Sequence, residues 1–208
     1  MWEIRAMQEE NIYKTPEARL SVESYDESEC LFFPVSRTKL IILFIATFGV
    51  YSIYWFYKNW KLQQKCMKEK VNPALRSIFY IFFTHSLFRR IEAAAIKEEI
   101  PKSWNANVLA TVFVILSIVS NVLDRISQNN ETIGIVDYVS VLMVFILLYP
   151  LYMVQEVVNK VNGDPHGKLN SSFSIYNVIF IVIGVFLWFL VGIGFFQSDI
   201  NSINQLYQ

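Results

Sequence analysis

Residues Leu40–Tyr57 read LIILFIATFGVYSIYWFY, 18 residues without a charge, set between Lys39 and Lys58. As one helix at 1.5 Å per residue the stretch reaches roughly 27 Å, close to the 30 Å of a bilayer's hydrocarbon core. Its second half carries Tyr51, Tyr54, Trp55 and Tyr57, with Trp60 following. Such rings favour the headgroup level, where an apolar body meets water. Gly49 sits in the middle and permits a bend. The segment therefore reads either as a crossing or as a re-entrant hairpin broken near Gly49.

Three further runs support an all-α, polytopic transmembrane bundle of four or five membrane segments. They are Ala106–Leu123, Ile135–Val154 and Tyr176–Phe196. Backbone groups in lipid must be satisfied within the chain, which makes such runs helical. Leu75–Phe88 is the doubtful segment. Its 14 residues would reach only about 21 Å as helix, and its polar residues do not gather on one face. It reads as interfacial, re-entrant or a short span with snorkelling arginines. The helical domain thus covers 31–196. A polar acidic tail precedes it at 1–30, read as mobile, and a short polar tail follows at 197–208.

Composition agrees. The chain is 54% hydrophobic and only 17% charged, against about 25% in soluble domains. Zero net charge hides an asymmetry: fifteen of the 18 basic residues precede position 103. Basic residues in short loops mark the cytoplasmic side. If the first segment spans and the second does not, 12 basic residues lie inside and six outside. If both span, the count is 11 against six. If the first is a re-entrant hairpin, it is 17 against one. That arrangement obeys the rule best but needs protein to cover the hairpin's turn. Loop 155–175 is inside and Gln208 outside in every arrangement.

Between the first two segments, Lys58, Lys61, Lys65, Lys68 and Lys70 form a basic juxtamembrane stretch. It serves as a topology determinant and as a candidate site for anionic lipid headgroups. No nucleic-acid-binding motif surrounds it, so nucleic acid is not expected as a partner.

The string Leu31–Lys61, LFFPVSRTKLIILFIATFGVYSIYWFYKNWK, resembles a group of small multi-span bacterial inner-membrane proteins. A TFG-x-Y-x-x-YWFYKNWK string closes their first apolar segment. Ser86–Ile91, SLFRRI, and the spacing of Asn170, Phe173, Asn177 and Gly184 are similar to that group as well. The resemblance implies a bacterial inner-membrane location, and the charge rule's placement of Gln208 outside then makes the C-terminus periplasmic. The resemblance implies no activity and no catalytic residue.

Candidate polar residues within the membrane segments are Asp137, Arg76, His85 and Asn177. Asp137 lies two residues inside its segment and can reach headgroup water. His85 lacks a histidine or cysteine partner and reads as a packing residue. Asn170 and Asn177, with serines between them, read as helix caps. Two cysteines (Cys30 and Cys66) and two distant histidines (His85 and His166) allow no disulfide framework and no Cys/His metal spacing. GDPHGK at 163–168 lacks P-loop spacing and reads as a turn. No catalytic constellation stands out, so neither enzyme activity nor a cofactor is expected. Few polar groups lie at mid-depth. The expectation is a non-enzymatic membrane component that assembles with itself or with another membrane protein. The alternative is a small transporter or channel subunit, with Gly49 and the short second segment as its discontinuity and Asp137 and Arg76 as polar candidates.

Overall fold

The computed structural model describes residues 31–67, 70–129 and 133–206. The expectations for the acidic tail and for Lys68 lie outside the described residues. Among these residues all regular structure is helical: α1 (Arg37–Ala46), α2 (Tyr51–Gln63), α3 (Pro73–Ile78), α4 (Tyr80–Lys97), α5 (Ala106–Gln128), α6 (Ile135–Val161) and α7 (Ile175–Leu206), with short 3₁₀ turns at Gln64–Cys66 and Lys168–Asn170. Three helices, fewer than the four or five segments expected, are long and apolar enough to cross a membrane: α5, α6 and the Ile175–Ser198 part of α7.

The first apolar segment is a hairpin. Ser36 starts α1 by accepting the Lys39 N–H on its hydroxyl. The helix stops at a turn in which Phe48 and Gly49 both have positive φ, 50° and 83°. Gly49 tolerates that region because it lacks a Cβ. The Gly49 N–H returns to the Phe44 carbonyl at 2.8 Å, closing the end of α1. The Thr47 hydroxyl then accepts the Tyr51 N–H at 2.9 Å, which opens α2. The chain reverses direction here, because the residues before α1 lie beside the end of α2. Phe33 N–H donates to Asn59 Oδ1 at 3.0 Å, and Gln63 Nε2 donates to the Leu31 carbonyl at 3.4 Å. Cys66, just beyond α2, is disulfide-bonded.

Leu31–Ser36 is extended and largely buried, yet it pairs with no strand. Side-chain amides take a strand's place. Asn162 bonds both the N–H and the carbonyl of Phe32, at 3.0 and 2.7 Å. Asn159 does the same for Val35, at 3.3 and 2.9 Å. Gln155 donates to the Phe33 carbonyl and Asn170 to that of Pro34. Pro34 has no N–H to satisfy. Every backbone group from Phe32 to Val35 is therefore paired, as burial requires.

The second apolar segment splits at Phe79 into α3 and α4. On α4 the buried residues Thr84, Leu87, Phe88, Ile91 and Ala95 recur at helical spacing, while Phe82 is 78% exposed. The helix is amphipathic and packs along α5, joined to it by His85 Nε2 and Thr111 Oγ1 at 3.0 Å. α6 runs through the buried Pro150 to Val161, seven residues past the end expected from hydropathy. α7 likewise continues past Phe196, so the polar residues that follow prolong a helix.

The hairpin tip rests against the middle of α7. Trp188 Nε1 donates to the Ile45 carbonyl at 2.9 Å, and its ring stacks on Phe48 at 4.4 Å. Gly184 lets the backbones approach: a Cβ there would stand 2.1 Å from the Ala46 carbonyl oxygen. Gly184 and Trp188 lie nine and thirteen residues into α7, a depth of roughly 14–20 Å.

Candidate functional site

A polar cavity adjoins the hairpin tip. Its volume is about 240 Å³, and Gly49 and Ser52 face Ser117, Ser120, Asn121 and Asp124 of α5 across it. A smaller cavity of about 130 Å³ shares Gly49, Ser120 and Asp124 and adds Ser140 of α6. Toward the end of α5 a broader opening of about 610 Å³ is lined by Asn121, Asp124, Arg125 and Gln128. The four α5 residues recur at three- and four-residue spacing and so form one stripe. Ser117 and Ser120 are buried at its deep end, while Asn121 and Asp124 are exposed at its mouth. Ser117 and Asn121 return hydrogen bonds to their own helix, at 2.8 and 2.7 Å. The Ser140 hydroxyl is buried with no hydrogen bond of normal geometry.

Beneath the cavity the route is closed by rings. Phe56 lies 5.3 Å from Tyr80, 5.9 Å from Phe113 and 6.5 Å from Phe88, centroid to centroid. The three cavities share Asp124 as a wall, and the one at the hairpin tip is bounded by Tyr80 and Phe113 of this aromatic plug as well as by Phe44, Phe48 and Leu147.

The residues singled out in the sequence fall elsewhere. Asp137 caps α6, accepting the Gly134 N–H at 2.7 Å and the Ser127 hydroxyl. Arg76 lies over the Trp60 ring at 4.4 Å and Phe83 at 5.0 Å. His85 ties α4 to α5. Asn177 caps α7 by accepting the Ser174 N–H at 3.0 Å. Asn170, expected to cap as well, instead clamps the extended segment and accepts from Lys39. Lys58 stands over Phe33 and Tyr54, and Lys61 over Tyr57. Lys65 and Lys70 are exposed. In the 163–168 turn, the Leu169 N–H at 2.8 Å holds the Asp164 carboxyl below the ordinary carboxylate range. Among the described residues no cluster of three His, Cys, Asp or Glu could hold a metal.

Sequence reasoning missed Asp124 and the serines below it, because the apolar run was closed at Leu123. Reading the positions 117, 120, 121 and 124 as one helical face would have found them. Asn59, near the end of α2, and Gln155 and Asn159, in the last turns of α6, are fully buried polar groups that hydropathy did not single out.

Comparison with known proteins finds no matching family model, curated protein or solved structure. The class is defined by the fold alone. It is an all-helical chain with three helices able to cross a membrane and a broken hairpin packed against the middle of the third.

Proposed function

We propose that this chain is a non-enzymatic integral membrane protein of the bacterial inner membrane, acting as a small transporter or channel subunit. The observation that carries the reading is the polar cavity ending on a helix break. In a bilayer, irregular backbone is tolerated where protein covers it or where it lines water, and transporters place substrates at such breaks. The resemblance of Leu31–Lys61 supports the location. With the first segment folded as a hairpin, the charge rule favours a cytoplasmic lysine-rich end and a periplasmic C-terminus. The cavity then opens toward the periplasm, and the aromatic plug closes it from the cytoplasm.

Assembly with itself or another membrane protein is the second reading. It is favoured by α7, whose most apolar window is only 6% buried. Lipid covers such a face as well as a partner does, so this observation carries less.

The test uses the full chain with Cys30 and Cys66 replaced by serine. Ser120→Cys should react with a membrane-impermeant thiol reagent added from the periplasmic side, since reaction needs a hydrated thiolate. Val119→Cys, on the neighbouring lipid-facing surface, should not. Equal protection of both makes the cavity dry and removes the reading. In liposomes, Asp124→Asn should lower cation or proton flux, while Asp137→Asn and Arg76→Gln leave it unchanged.

A further inference from the structure

A second cleft, of about 420 Å³, lies at the other end of the hairpin, between α2 and the residues leading into α7. Lys39, Lys58, Tyr51, Tyr54, Asn170 and Ser172 are among its walls. Lys39 is only 5% exposed. Its ammonium donates to Asn170 Oδ1 at 2.6 Å and to the Ser172 carbonyl at 2.7 Å, both neutral acceptors. An ammonium has three N–H donors, so those two bonds leave one N–H without a hydrogen-bond acceptor among the described residues, and the Phe173 ring stands 6.0 Å from the same ammonium. The Lys58 ammonium lies over the Phe33 and Tyr54 rings, at 5.4 and 5.8 Å. Among the described residues neither lysine has a carboxylate partner, because the ion pairs there engage Arg37, Lys102 and Lys160.

Two cations sharing one cleft, one of them buried, are unfavourable without a counter-charge. We propose that the cleft binds the phosphate group of an anionic phospholipid headgroup. A phosphate offers several acceptor oxygens, enough to take the spare Lys39 N–H, the Lys58 ammonium and a tyrosine or serine hydroxyl together. The surroundings favour a lipid as the source. Phe33, Tyr51 and Tyr54 line the cleft, and Val178 and Ile179 of α7 are exposed just beyond Asn177. Acyl chains of a lipid held by its phosphate would run along a surface that already faces lipid. Lys58 thereby differs from Lys61, Lys65 and Lys70, which are more exposed and do not line the cleft. The site does not depend on the transport reading, and its test reads binding, not flux.

The experiment titrates the purified full chain, in neutral detergent, with phosphatidylglycerol or phosphatidylcholine and reads occupancy by native mass spectrometry. The chain should prefer phosphatidylglycerol. Lys58→Gln and Lys39→Gln should each weaken that binding about tenfold, as loss of a charge-assisted bond does, while Lys97→Gln, at an exposed position on α4, binds as the parent does. Retained lipid in the presence of excess inorganic phosphate supports the lipid as occupant. Displacement of the lipid by inorganic phosphate overturns the lipid in favour of a soluble phosphate compound. Unchanged binding in both cleft variants, or equal loss in Lys97→Gln, overturns the site. If Lys39→Gln loses its thermal transition, Lys58→Gln decides alone.

Discussion

At the scale of single residues, the side-chain amides hold this molecule together. Asn159 donates to the Val35 carbonyl, accepts the Val35 N–H, and accepts Gln155 Nε2 at 2.7 Å, all in a fully buried setting. Gln155 in turn accepts the Trp55 indole N–H. Each group orphaned at such a site costs about 1–3 kcal/mol. Asn159→Leu keeps the branching and heavy-atom count and strands the Val35 N–H, the Val35 carbonyl and one Gln155 N–H together. It should lower stability in detergent by roughly 2–5 kcal/mol, seen as a large fall in Tm. Asn107→Leu, at an exposed position on α5, should stay within about 0.5 kcal/mol of the parent. Equal Tm values for the two variants would mean that the amide clamp is dispensable.

At the scale of elements, the hairpin depends on its seat against α7. The carbonyls that end α1 have lost their helical partners. That of Phe44 accepts the Gly49 N–H in the turn, and that of Ile45 accepts the Phe48 N–H and Trp188 Nε1. Positive φ at Phe48, uncommon for a residue with a side chain, is offset by its stacking on the same indole. Gly184→Val places carbon inside the Ala46 carbonyl and must push α1 from α7. Overpacking of this kind costs about 1–3 kcal/mol. The variant should show a lower Tm and faster proteolysis at the hairpin turn. Gly192→Ala, with nothing within 4 Å of the added carbon, should leave both unchanged. A silent Gly184→Val would show that the close approach has room to relax.

At the scale of the whole molecule, the hairpin bears on how the proposed membrane protein is drawn through a bilayer. Its two described ends lie together, Phe33 on Asn59 and Gln63 on Leu31, so in that proposal Arg37 and Lys39 fall on the same side as Lys58, Lys61 and Lys65. Two compartment signals then oppose each other. In the proposed orientation, seventeen basic residues against one favour a cytoplasmic lysine end, whereas a disulfide at Cys66 is the chemistry of an oxidising compartment. The proposal follows the charge count, because it acts on insertion itself, and the redox state follows from the compartment reached. In the chain with both native cysteines replaced, Lys97→Cys should label with an impermeant maleimide only after permeabilisation. Asn129→Cys, at the far end of α5, should label without it. The reverse pattern would invert the orientation and turn the polar cavity toward the cytoplasm.

What the sequence determined by itself was the helical class and the runs long and apolar enough to cross a membrane. Charge-free runs near Val114, Leu147 and Gly184 can satisfy their backbone in lipid only as helix, and no distant residue is needed to say so. It also showed where a break could occur, since Gly49 lies mid-run. Whether the chain reversed there was decided by tertiary contacts. Phe33 meeting Asn59, Val35 meeting Asn159 and Ile45 meeting Trp188 join residues 26, 124 and 143 positions apart. Hydropathy is a local sum and carries no trace of such pairings. The same holds for the two cavities. Asp124 and Ser117 acquire meaning only when Gly49 is brought against them, and Lys39 and Lys58 form a pair only because the hairpin folds back and sets both beside Asn170.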